Sequence, residues 1–347
     1  MAVSKPIQII GGGLAGLTLG IGLRQQAVPV TIQEAGKYPR HRVCGEFISG
    51  RGQASLTRLG LRERLEKAGA IPALTAAFFT TTRSTAPRLL PASAICLSRF
   101  VLDDLLASEF RRLGGKLIIS QRWEDDSFGE GIVRATGRRA RTQPGDDRWF
   151  GLKIHARNVP LTAALEMHVS PEGYVGLGKI NGGEVNVCGL FRRRAGGFSP
   201  DKNAREFLRG KTGSPLHQRL AAAEFDEHSF CAVAGLSLRP QRAAGRHEIC
   251  VGDAITMIPP LTGNGMSMAF ESAELATPPL TAWSRGGISW LSARSQIAGT
   301  CDARFSSRLR WAKCLQPVML LPVLQNPLIT FASNSNWFWR RAFERTR

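Results

Sequence analysis

Three glycines near the N-terminus have the spacing of a loop that holds a phosphorylated nucleotide. Gly11, Gly13 and Gly16 follow an apolar, strand-like run at residues 7–10 and precede a stretch with helical spacing of apolar and small residues. In such a strand–turn–helix unit the first glycine permits the turn, and the second lets the backbone approach a pyrophosphate. The third lets the helix pack closely on the strand.

The residues that follow extend this pattern. Leu14 and Ala15 open the predicted helix, where free backbone N–H groups and the helix dipole favour an anion. A second strand is predicted at residues 28–32, and it leads to Glu34, 18 residues beyond Gly16. A carboxylate at about 20 residues from the glycines is typical of ribose binding. The sequence therefore predicts a dinucleotide site; the alternative is a glycine-rich turn in an α/β core.

A second glycine-rich segment lies more than 230 residues further along the chain. A strand-like run precedes Asp253, and Gly263, Asn264, Gly265 and Met266 open another predicted helix. Asp253 can accept hydrogen bonds from sugar-like hydroxyls, and the helix start can stabilise an anion. Two such loops indicate one extended cofactor that is held at both ends.

A thiol, a glycine and a carboxylate stand side by side at Cys44, Gly45 and Glu46, with arginines at 40 and 42. The thiol could be a nucleophile, a metal ligand, half of a disulfide, or part of an active-site wall. Nearby positive charge would lower the pKa of the Cys44 thiol. Glu46 could donate a proton or orient another group. The structural alternative is a turn at Gly45 with Cys44 as a small packing residue.

Composition narrows these choices. The seven cysteines include no Cys-x-x-Cys pair, which favours a reduced, cytoplasmic setting, and the six histidines show no paired ligand spacing, so no metal site is expected. The net charge of +19 is spread along the 347 residues, and no nucleic-acid motif accompanies it. We therefore expect anionic ligands or an anionic lipid surface as partners, and not nucleic acid. The glycines argue against reading the apolar N-terminus as a secretion signal.

Together, the two glycine loops, Glu34 and the segment LSRFVLDDLL at residues 97–106 resemble the FAD-dependent superfamily of aromatic-ring hydroxylases and geranylgeranyl reductases. The resemblance covers most of residues 5–285. It implies an α/β fold with a Rossmann-like FAD-binding domain of the glutathione-reductase type, an inserted β-sheet substrate domain and a C-terminal helical segment. We expect the FAD-binding domain at residues 1–70, 97–145 and 233–285, the substrate domain at 71–96 and 146–232, and a basic helical segment at 286–347.

The resemblance also implies roles for particular residues. Asp253 matches the aspartate that contacts the ribityl and pyrophosphate portion of FAD. Gly263 and Gly265 match glycines that lie against the flavin pyrimidine, where a helix N-terminus stabilises negative charge. Arg99 matches an arginine that reaches the FAD phosphate region; the alternative is a solvated charge at a helix start.

Within this superfamily, the Cys-Gly pair points to the reductase branch. In members that resemble geranylgeranyl reductases such a pair lines the flavin face, which makes Cys44 and Glu46 the candidate catalytic residues. Thr256 stands where hydroxylases usually carry His. Gly176 replaces the Trp of the Tyr-x-Trp-x-Phe-Pro segment of reductases that act on isoprenoid lipids. The Trp-x-Trp-x-Ile-Pro segment of flavin halogenases is also absent, so halogenation is not expected.

The function implied is an FAD oxidoreductase, with NAD(P)H as a transient reductant, that reduces a C=C bond of a hydrophobic, isoprenoid- or polyketide-like substrate. A flavin-dependent monooxygenase is the main alternative, and a non-catalytic lipid or prenyl escort protein of the same fold is a further one. Strand-like segments between the FAD-binding pieces predict a sheet with one apolar face that roofs the flavin. Candidate pocket walls on it are Phe78, Phe79, Tyr174 and Phe191.

The last segment is apolar and then basic. Residues 315–339 carry no charge, and Pro317, Pro322 and Pro327 interrupt them. We expect broken amphipathic helices that pack on the FAD-binding domain. The alternative is a membrane-surface foot in which Trp337 and Trp339 lie at the interface beside arginines.

Overall fold

Two sheets organise the chain, one parallel and one mainly antiparallel. The computed structural model describes residues 4–125, 127–138, 148–193, 200–260 and 263–346. The strands are β1 (Ile7–Ile10), β2 (Val30–Gln33), β3 (Phe47–Ser49), β4 (Ile71–Phe79), β5 (Arg88–Cys96), β6 (Lys116–Ile118), β7 (Ile132–Arg134), β8 (Arg148–Arg157), β9 (Leu165–Ser170), β10 (Gly173–Lys179), β11 (Val185–Arg193), β12 (Glu224–Leu236) and β13 (Ile249–Cys250). The helices are α1 (Leu14–Gln25), α2 (Gly50–Arg58), α3 (Arg62–Lys67), α4 (Arg99–Arg112), α5 (Pro200–Arg209), α6 (Pro215–Arg219), α7 (Gly265–Ser284), α8 (Trp290–Leu320), α9 (Pro322–Asn334) and α10 (Asn336–Thr346).

The parallel sheet has the order β13-β7-β1-β2-β6, with β1 at its centre. Ile9 of β1 lies opposite Ile32 and Val133, and none of the three side chains is exposed. Such continuous apolar strands are typical of a parallel sheet covered on both faces. The carboxyl ends of β1, β2 and β13 lie at the same edge, so the segments that follow them meet there.

The second sheet has the order β12-β8-β11-β10-β9-β4-β5-β3 and is antiparallel except where β4 pairs with β9. Most of its strands come from residues 71–96 and 146–236, while β3 belongs to the N-terminal segment and pairs with β5. This sheet and the C-terminal helices confirm the predicted fold class.

The predicted apolar face of this sheet points away from the nucleotide-binding half. Leu152 and Ile154 of β8 and Val187 of β11 belong to a cluster that Leu208 of α5 and Leu216 of α6 cover. Because side chains alternate along a strand, the opposite, inner face of β8 carries Trp149, Gly151, Lys153 and His155. The expectation that an apolar face roofs the cofactor was therefore wrong, since helices α5 and α6 already bury that face.

The C-terminal helices pack on the parallel-sheet half through a buried ion pair. Arg308 of α8 donates two hydrogen bonds to the carboxylate of Glu271 on α7, at 2.8 and 2.7 Å. Their side chains are only 3% and 6% exposed. Pro317 lies inside α8, and the chain turns at Leu321, so the break falls just before Pro322.

The length and hydropathy of these helices determine whether they could cross a membrane. No single described helix is both long and apolar enough to cross a membrane. Taken together, Trp290–Leu320 and Pro322–Phe331 pass that test as a pair, with a bend of 106° between them.

Removing the Glu271 carboxylate should strongly destabilise the protein. The change Glu271→Ala leaves the buried Arg308 guanidinium without its counter-charge, which costs about 3–5 kcal/mol in comparable buried pairs. The measurement is the free energy of unfolding of the full chain in urea. Glu274→Ala is the matched control, because Glu274 of α7 pairs with the exposed Arg58 and should cost less than about 1 kcal/mol. Equal losses in both variants would contradict the role given to this pair.

Candidate active site

The first glycine loop leaves room for a phosphate at the start of α1. At Gly11 the φ angle is +108° and an added Cβ would lie 2.4 Å from the carbonyl oxygen of Ala135, so a side chain is excluded. At Gly13, by contrast, no described residue other than its chain neighbours comes within 4 Å of where a Cβ would stand. It caps α1 without any side-chain hydrogen bond. The backbone at Leu14 and Ala15 therefore opens the helix beside free space, as a pyrophosphate requires.

Glu34 is held rigidly beside this loop. One carboxylate oxygen accepts the Gly12 N–H at 2.7 Å, and the other accepts the Gly36 N–H and Nη1 of Arg40, both at 2.7 Å. Burial alone would raise the pKa of Glu34, but these donors and the charge of Arg40 lower it to about 2. Glu34 is thus an ionised acceptor with a fixed orientation, as predicted for a ribose-binding carboxylate.

Arg40 is a binding candidate that the sequence reasoning missed. Its Nη1 is bonded to Glu34, whereas Nε and Nη2 are buried and have no hydrogen-bond partner among the described residues. Buried guanidinium donors are costly unless they are paired, so these two are well suited to hydroxyls or a phosphate of a nucleotide. The only sequence signal was an arginine six residues after the ribose-binding acid.

The second loop reaches the first one. Asp253 follows β13 in a 3₁₀ turn, and an added Cβ at Gly252 would lie 2.7 Å from Cβ of Ala15. Burial raises the pKa of Asp253, although Arg138 and Arg99 act in the opposite direction. The two glycine segments, far apart in sequence, therefore lie against each other at one edge of the parallel sheet.

The start of α7 has the features expected of a flavin-binding turn. Asn264 caps α7 without a side-chain cap bond, and Gly265 has open space where a Cβ would stand. Gly263 has a φ of +65°, and a Cβ there would overlap the ring of Phe47. Met266 is buried in the core of the helix packing. Open backbone at this helix start, together with that at Gly13, fits a dinucleotide such as FAD.

Glu46 is the most constrained residue of the site. It has a φ of +56°, unusual for a residue other than glycine, and its side chain is fully buried. Oε1 accepts the backbone N–H of Arg99 at 2.8 Å, and Oε2 lies 2.7 Å from Nε2 of His155. Lys153 places its Nζ 3.7 Å from Oε1. A charged group buried in this way is retained only with such partners.

Lys153 and His155 were not predicted, yet both face Glu46 from the inner face of β8. Lys153 is fully buried, and its Nζ lies 3.1 Å from Nδ1 of His41. An ammonium group can only donate, so Nδ1 of His41 is the acceptor. Burial, Lys153 and His155 all lower the pKa of His41. The sequence signal that could have found them is two basic residues, Lys153 and His155, at alternate positions in the otherwise uncharged run 149–156.

Cys44 lies next to this network as a neutral thiol. Its backbone carbonyl accepts Nδ2 of Asn186 at 2.9 Å, and its Sγ accepts the Glu46 N–H at 3.5 Å. Burial raises the pKa of the Cys44 thiol even though Arg99 opposes this effect. The expectation that nearby arginines would lower that pKa was therefore wrong, because desolvation outweighs them. Chemistry at Cys44 stays a prediction.

Arg99 is engaged within its own helix. Its guanidinium donates to both oxygens of Asp103, at 2.6 and 2.8 Å, and the Asp103 side chain is fully buried. The side chain of Arg99 is 11% exposed and acts electrostatically on both Cys44 and Asp253. It thus lies between the two predicted parts of the site, and a contact with the FAD phosphates stays a prediction.

An apolar cluster adjoins the polar network on the inner face of the sheet. Its buried members are Val169, Tyr174, Leu190 and Leu236, and Trp149, Met167, Val233, Leu238, Met257, Met319 and Leu320 pack against them. The hydroxyl of Tyr174 is buried and has no partner among the described residues. Gly176 lies two residues after Tyr174 in β10. A Cβ added there would lie 3.7 Å from the carbonyl oxygen of Cys188, and apart from its chain neighbours no other described residue has an atom within 4 Å of it.

Of the predicted pocket walls, only Tyr174 belongs to this apolar cluster. Phe191 packs with Phe150 and Phe207 on the outer face, because its position in β11 has the opposite alternation. Phe79 stacks on His168 at 4.4 Å, and Phe78 contacts Trp339 at 5.7 Å. The prediction was wrong for Phe191 and Phe79, because the strand register could not be read from the sequence. Phe78 lies opposite Met167 on the inner face, and its role as a pocket wall stays a prediction.

Known proteins resemble this chain in sequence and in fold. No family model matches the chain. Menaquinone reductase of Mycolicibacterium smegmatis is 26% identical over 338 residues, covering 83% of this chain and 78% of that protein.

Solved structures with the same fold include flavin-dependent enzymes. The brominase Bmp2 has a TM-score of 0.71 at 17% identity, covering 98% of this chain and 97% of its own. The halogenase PltM has a TM-score of 0.73 at 15% identity, covering 99% and 85%, and it has also been solved with phloroglucinol and FAD. PqsL of Pseudomonas aeruginosa, named a probable FAD-dependent monooxygenase, has a TM-score of 0.68 at 15% identity and covers 98% of both chains.

The chain therefore has the fold of the flavin-dependent oxidoreductases and monooxygenases.

Filling the space at Gly13 should abolish tight FAD binding without unfolding the chain. In Gly13→Val the backbone already has an extended conformation and the new side chain meets no protein atom at its Cβ. The valine would occupy the space of the pyrophosphate, so the Kd for FAD should rise by more than about tenfold. Isothermal titration of the FAD-free chain with FAD measures this.

The control is Gly129→Val, an exposed glycine with equally open surroundings. It should bind FAD as the unsubstituted chain does. Unchanged affinity in Gly13→Val would contradict the assignment of this loop to the pyrophosphate.

Proposed function

We propose that this protein is an FAD-dependent reductase that saturates a C=C bond of a hydrophobic, isoprenoid-like substrate. The observation that carries the proposal is the inner face of the second sheet. There a fully buried carboxylate, Glu46, contacts Lys153 and His155 of β8, and the same face of β8 carries Trp149, which packs against the apolar cluster around Tyr174. An apolar wall suits a substrate with few polar groups, and a buried carboxyl group suits delivery of a proton to it.

The two glycine loops would hold the cofactor at its two ends. Gly13 and the start of α1 would hold the pyrophosphate, with Glu34 and Arg40 at the adenosine ribose. The start of α7 at Gly265 would lie at the flavin ring. Once bound and reduced by NAD(P)H, the flavin would supply the hydride for the reduction.

The chain's own residues would then control the proton and the surroundings of the substrate. Glu46, fixed by Arg99 and His155, would receive a proton at Oε2 from Nε2 of His155 and pass it to the substrate. Met257 and Met319 close the apolar side and exclude water, which suppresses competing reactions of a reduced cofactor. Met side chains adapt readily to the shape of a flexible chain.

The curated relative favours reduction over oxygenation. It is named as a reductase of menaquinone, an isoprenoid quinone, and it matches 83% of this chain. The monooxygenase alternative rests on the fold alone, since the relevant solved structures are below 20% identity. We propose NAD(P)H as the electron source, bound transiently, because the described residues contain one parallel sheet and both of its glycine loops are assigned to FAD.

We also propose that the substrate arrives from a membrane surface. Exposed apolar side chains gather on the last helices, with Val323 at 84%, Trp337 at 72% and Phe331 at 53% exposure. The basic residues Arg340 and Arg341 lie in the same helix as Trp337. This combination is typical of segments that lie in the interface of an anionic bilayer. Vesicles are therefore the substrate carrier in the following test.

The FAD-loaded protein should convert menaquinone, supplied in phosphatidylglycerol vesicles with NADPH or NADH, to a product two hydrogens heavier. Air oxidation before mass spectrometry returns any quinol to the quinone, so only saturation of a C=C bond keeps the added mass. A product one oxygen heavier would establish the monooxygenase instead. Unchanged menaquinone despite flavin reduction would exclude this substrate class, and failure to bind FAD would favour an escort protein.

A large side chain introduced at Gly176 should block substrate binding and leave FAD binding unchanged. In Gly176→Trp the new ring projects from the inner face of β10 beside Tyr174, where the backbone tolerates a Cβ. We expect kcat/KM for the substrate to fall by at least about tenfold. The rate of flavin reduction by NAD(P)H should stay unchanged.

The measurement is stopped-flow absorbance for flavin reduction, combined with product analysis for turnover. Gly245→Trp, at an exposed glycine with open surroundings, is the control for adding an indole ring. Normal turnover in Gly176→Trp would show that the substrate does not lie along β10.

A further inference from the structure

A line of protonatable groups connects the buried Glu46 to the protein surface. Oε2 of Glu46 lies 2.7 Å from Nε2 of His155, and Nδ1 of the same ring lies 3.4 Å from Oε2 of Glu184. The exposed fractions of the three side chains are 0%, 2% and 22% in that order. The line therefore runs from the dry interior outward, and one imidazole spans the gap between two carboxylates.

The fold holds each member of this line in place. The backbone N–H of His155 in β8 donates to Oγ of Ser229 at 2.7 Å. Glu184 lies just before β11. Nη2 of the exposed Arg157 is 3.2 Å from Oε1 of Glu184, and Oε2 of Glu184 is the oxygen that lies near the ring of His155. A neutral imidazole carries a proton on one nitrogen and accepts on the other, so it can pass a proton between two partners.

The other charged groups near His155 hold Glu46 and His155 in place and do not connect them to the protein surface. Lys153 is fully buried and lies 3.7 Å from Oε1 of Glu46, the oxygen that His155 does not contact. His41 accepts a hydrogen bond from Lys153. Its ring packs edge to face against the ring of His155, with the two ring centroids 5.2 Å apart. Asp226 of β12 is the cross-strand partner of His155 in the backbone register.

We propose that Glu184, His155 and Glu46 form a proton path from solvent to the substrate chamber, in which Glu184 is the entry group. This inference rests on the proposed reductase function. At the start Glu46 and Glu184 are carboxylates and His155 carries its proton on Nε2. Glu184 takes a proton from water and passes it to Nδ1 of His155 as the Nε2 proton passes to Oε2 of Glu46, which gives that proton to the substrate. One proton thus leaves the solvent per turnover, and every protein group returns to its starting state after the ring tautomer resets.

A buried acid needs such a path. Each reduction consumes one proton together with one hydride, and the full burial of Glu46 keeps bulk water from recharging it directly. His155 and Glu184 are therefore positioning and relay residues, while Glu46 is the group that would give the proton to the substrate.

The test measures exchange of the His155 ring proton with water in the full FAD-loaded chain, labelled with ¹⁵N-histidine. The signal is assigned by its loss in His155→Asn. In Glu184→Gln the side chain keeps its shape but cannot carry a proton, so exchange should slow by at least about tenfold. A merely structural role predicts the opposite, since loosening the site would speed exchange through local opening.

Matched variants complete the design. Glu172→Gln changes an exposed glutamate just before β10 in the same sheet and should leave exchange unchanged. In Glu184→Ala, added formate should restore exchange in proportion to its concentration, because a small acid can replace the missing carboxyl group. Unchanged or faster exchange in Glu184→Gln, or no response to formate in Glu184→Ala, would overturn the path.

Turnover gives a second, separate readout. With menaquinone in vesicles, Glu184→Gln should lower kcat by at least about tenfold while KM and the rate of flavin reduction stay constant. If the unsubstituted enzyme forms no reduced product, the proposed function fails, and the exchange measurement still decides whether the path exists.

Discussion

Burial of the Glu46 carboxylate is the constraint on which the arrangement of the two halves depends. An ionisable group without access to water is tolerated only when hydrogen bonds and opposite charge surround it. Here the partners come from two separate parts of the chain, the start of α4 and the inner face of β8. A shift of the second sheet relative to the parallel-sheet half would separate the carboxylate from Lys153 and His155. The left-handed backbone at Glu46 is strain that these contacts hold in place.

This constraint also separates two kinds of surface on one sheet. Side chains of β8 and β11 that face α5 and α6 are apolar and provide stability. The alternate side chains face the nucleotide-binding half and include Lys153, His155 and Asn186. A strand that alternates in this way uses one face for folding and the other for chemistry. The cost of the polar face is offset because each group finds a specific partner.

The backbone geometry of the first glycine loop could be predicted from sequence because its constraints are local, while its binding of a nucleotide stays a prediction. Gly11, Gly13 and Glu34 are close in the chain, and a turn with positive φ or a helix that must begin beside a phosphate restricts residue type directly. The fold class and the C-terminal helices followed from the same local patterns and the resemblance that they supported.

The inner face could not be predicted in the same way, because it depends on long-range register. Whether Phe191 or Leu190 faces the chamber is decided by how β11 pairs with its neighbours, and a shift of one residue reverses the outcome. Arg40 was missed for a related reason, since an arginine becomes a binding group only when its donors are left unpaired in the fold. The pKa of Cys44 depends on burial, which neighbouring residues in the sequence do not report.

Helix α7 has a position with a consequence for the whole chain. Its first turn opens at Gly265, where we propose that the flavin binds, and further along the same helix Glu271 anchors α8 through Arg308. A ligand that stabilises one end of a rigid helix also raises the free energy needed to detach what is packed on the rest of it. Protease resistance of the C-terminal helices should then follow cofactor occupancy, so that cells would clear the empty protein faster than the loaded one.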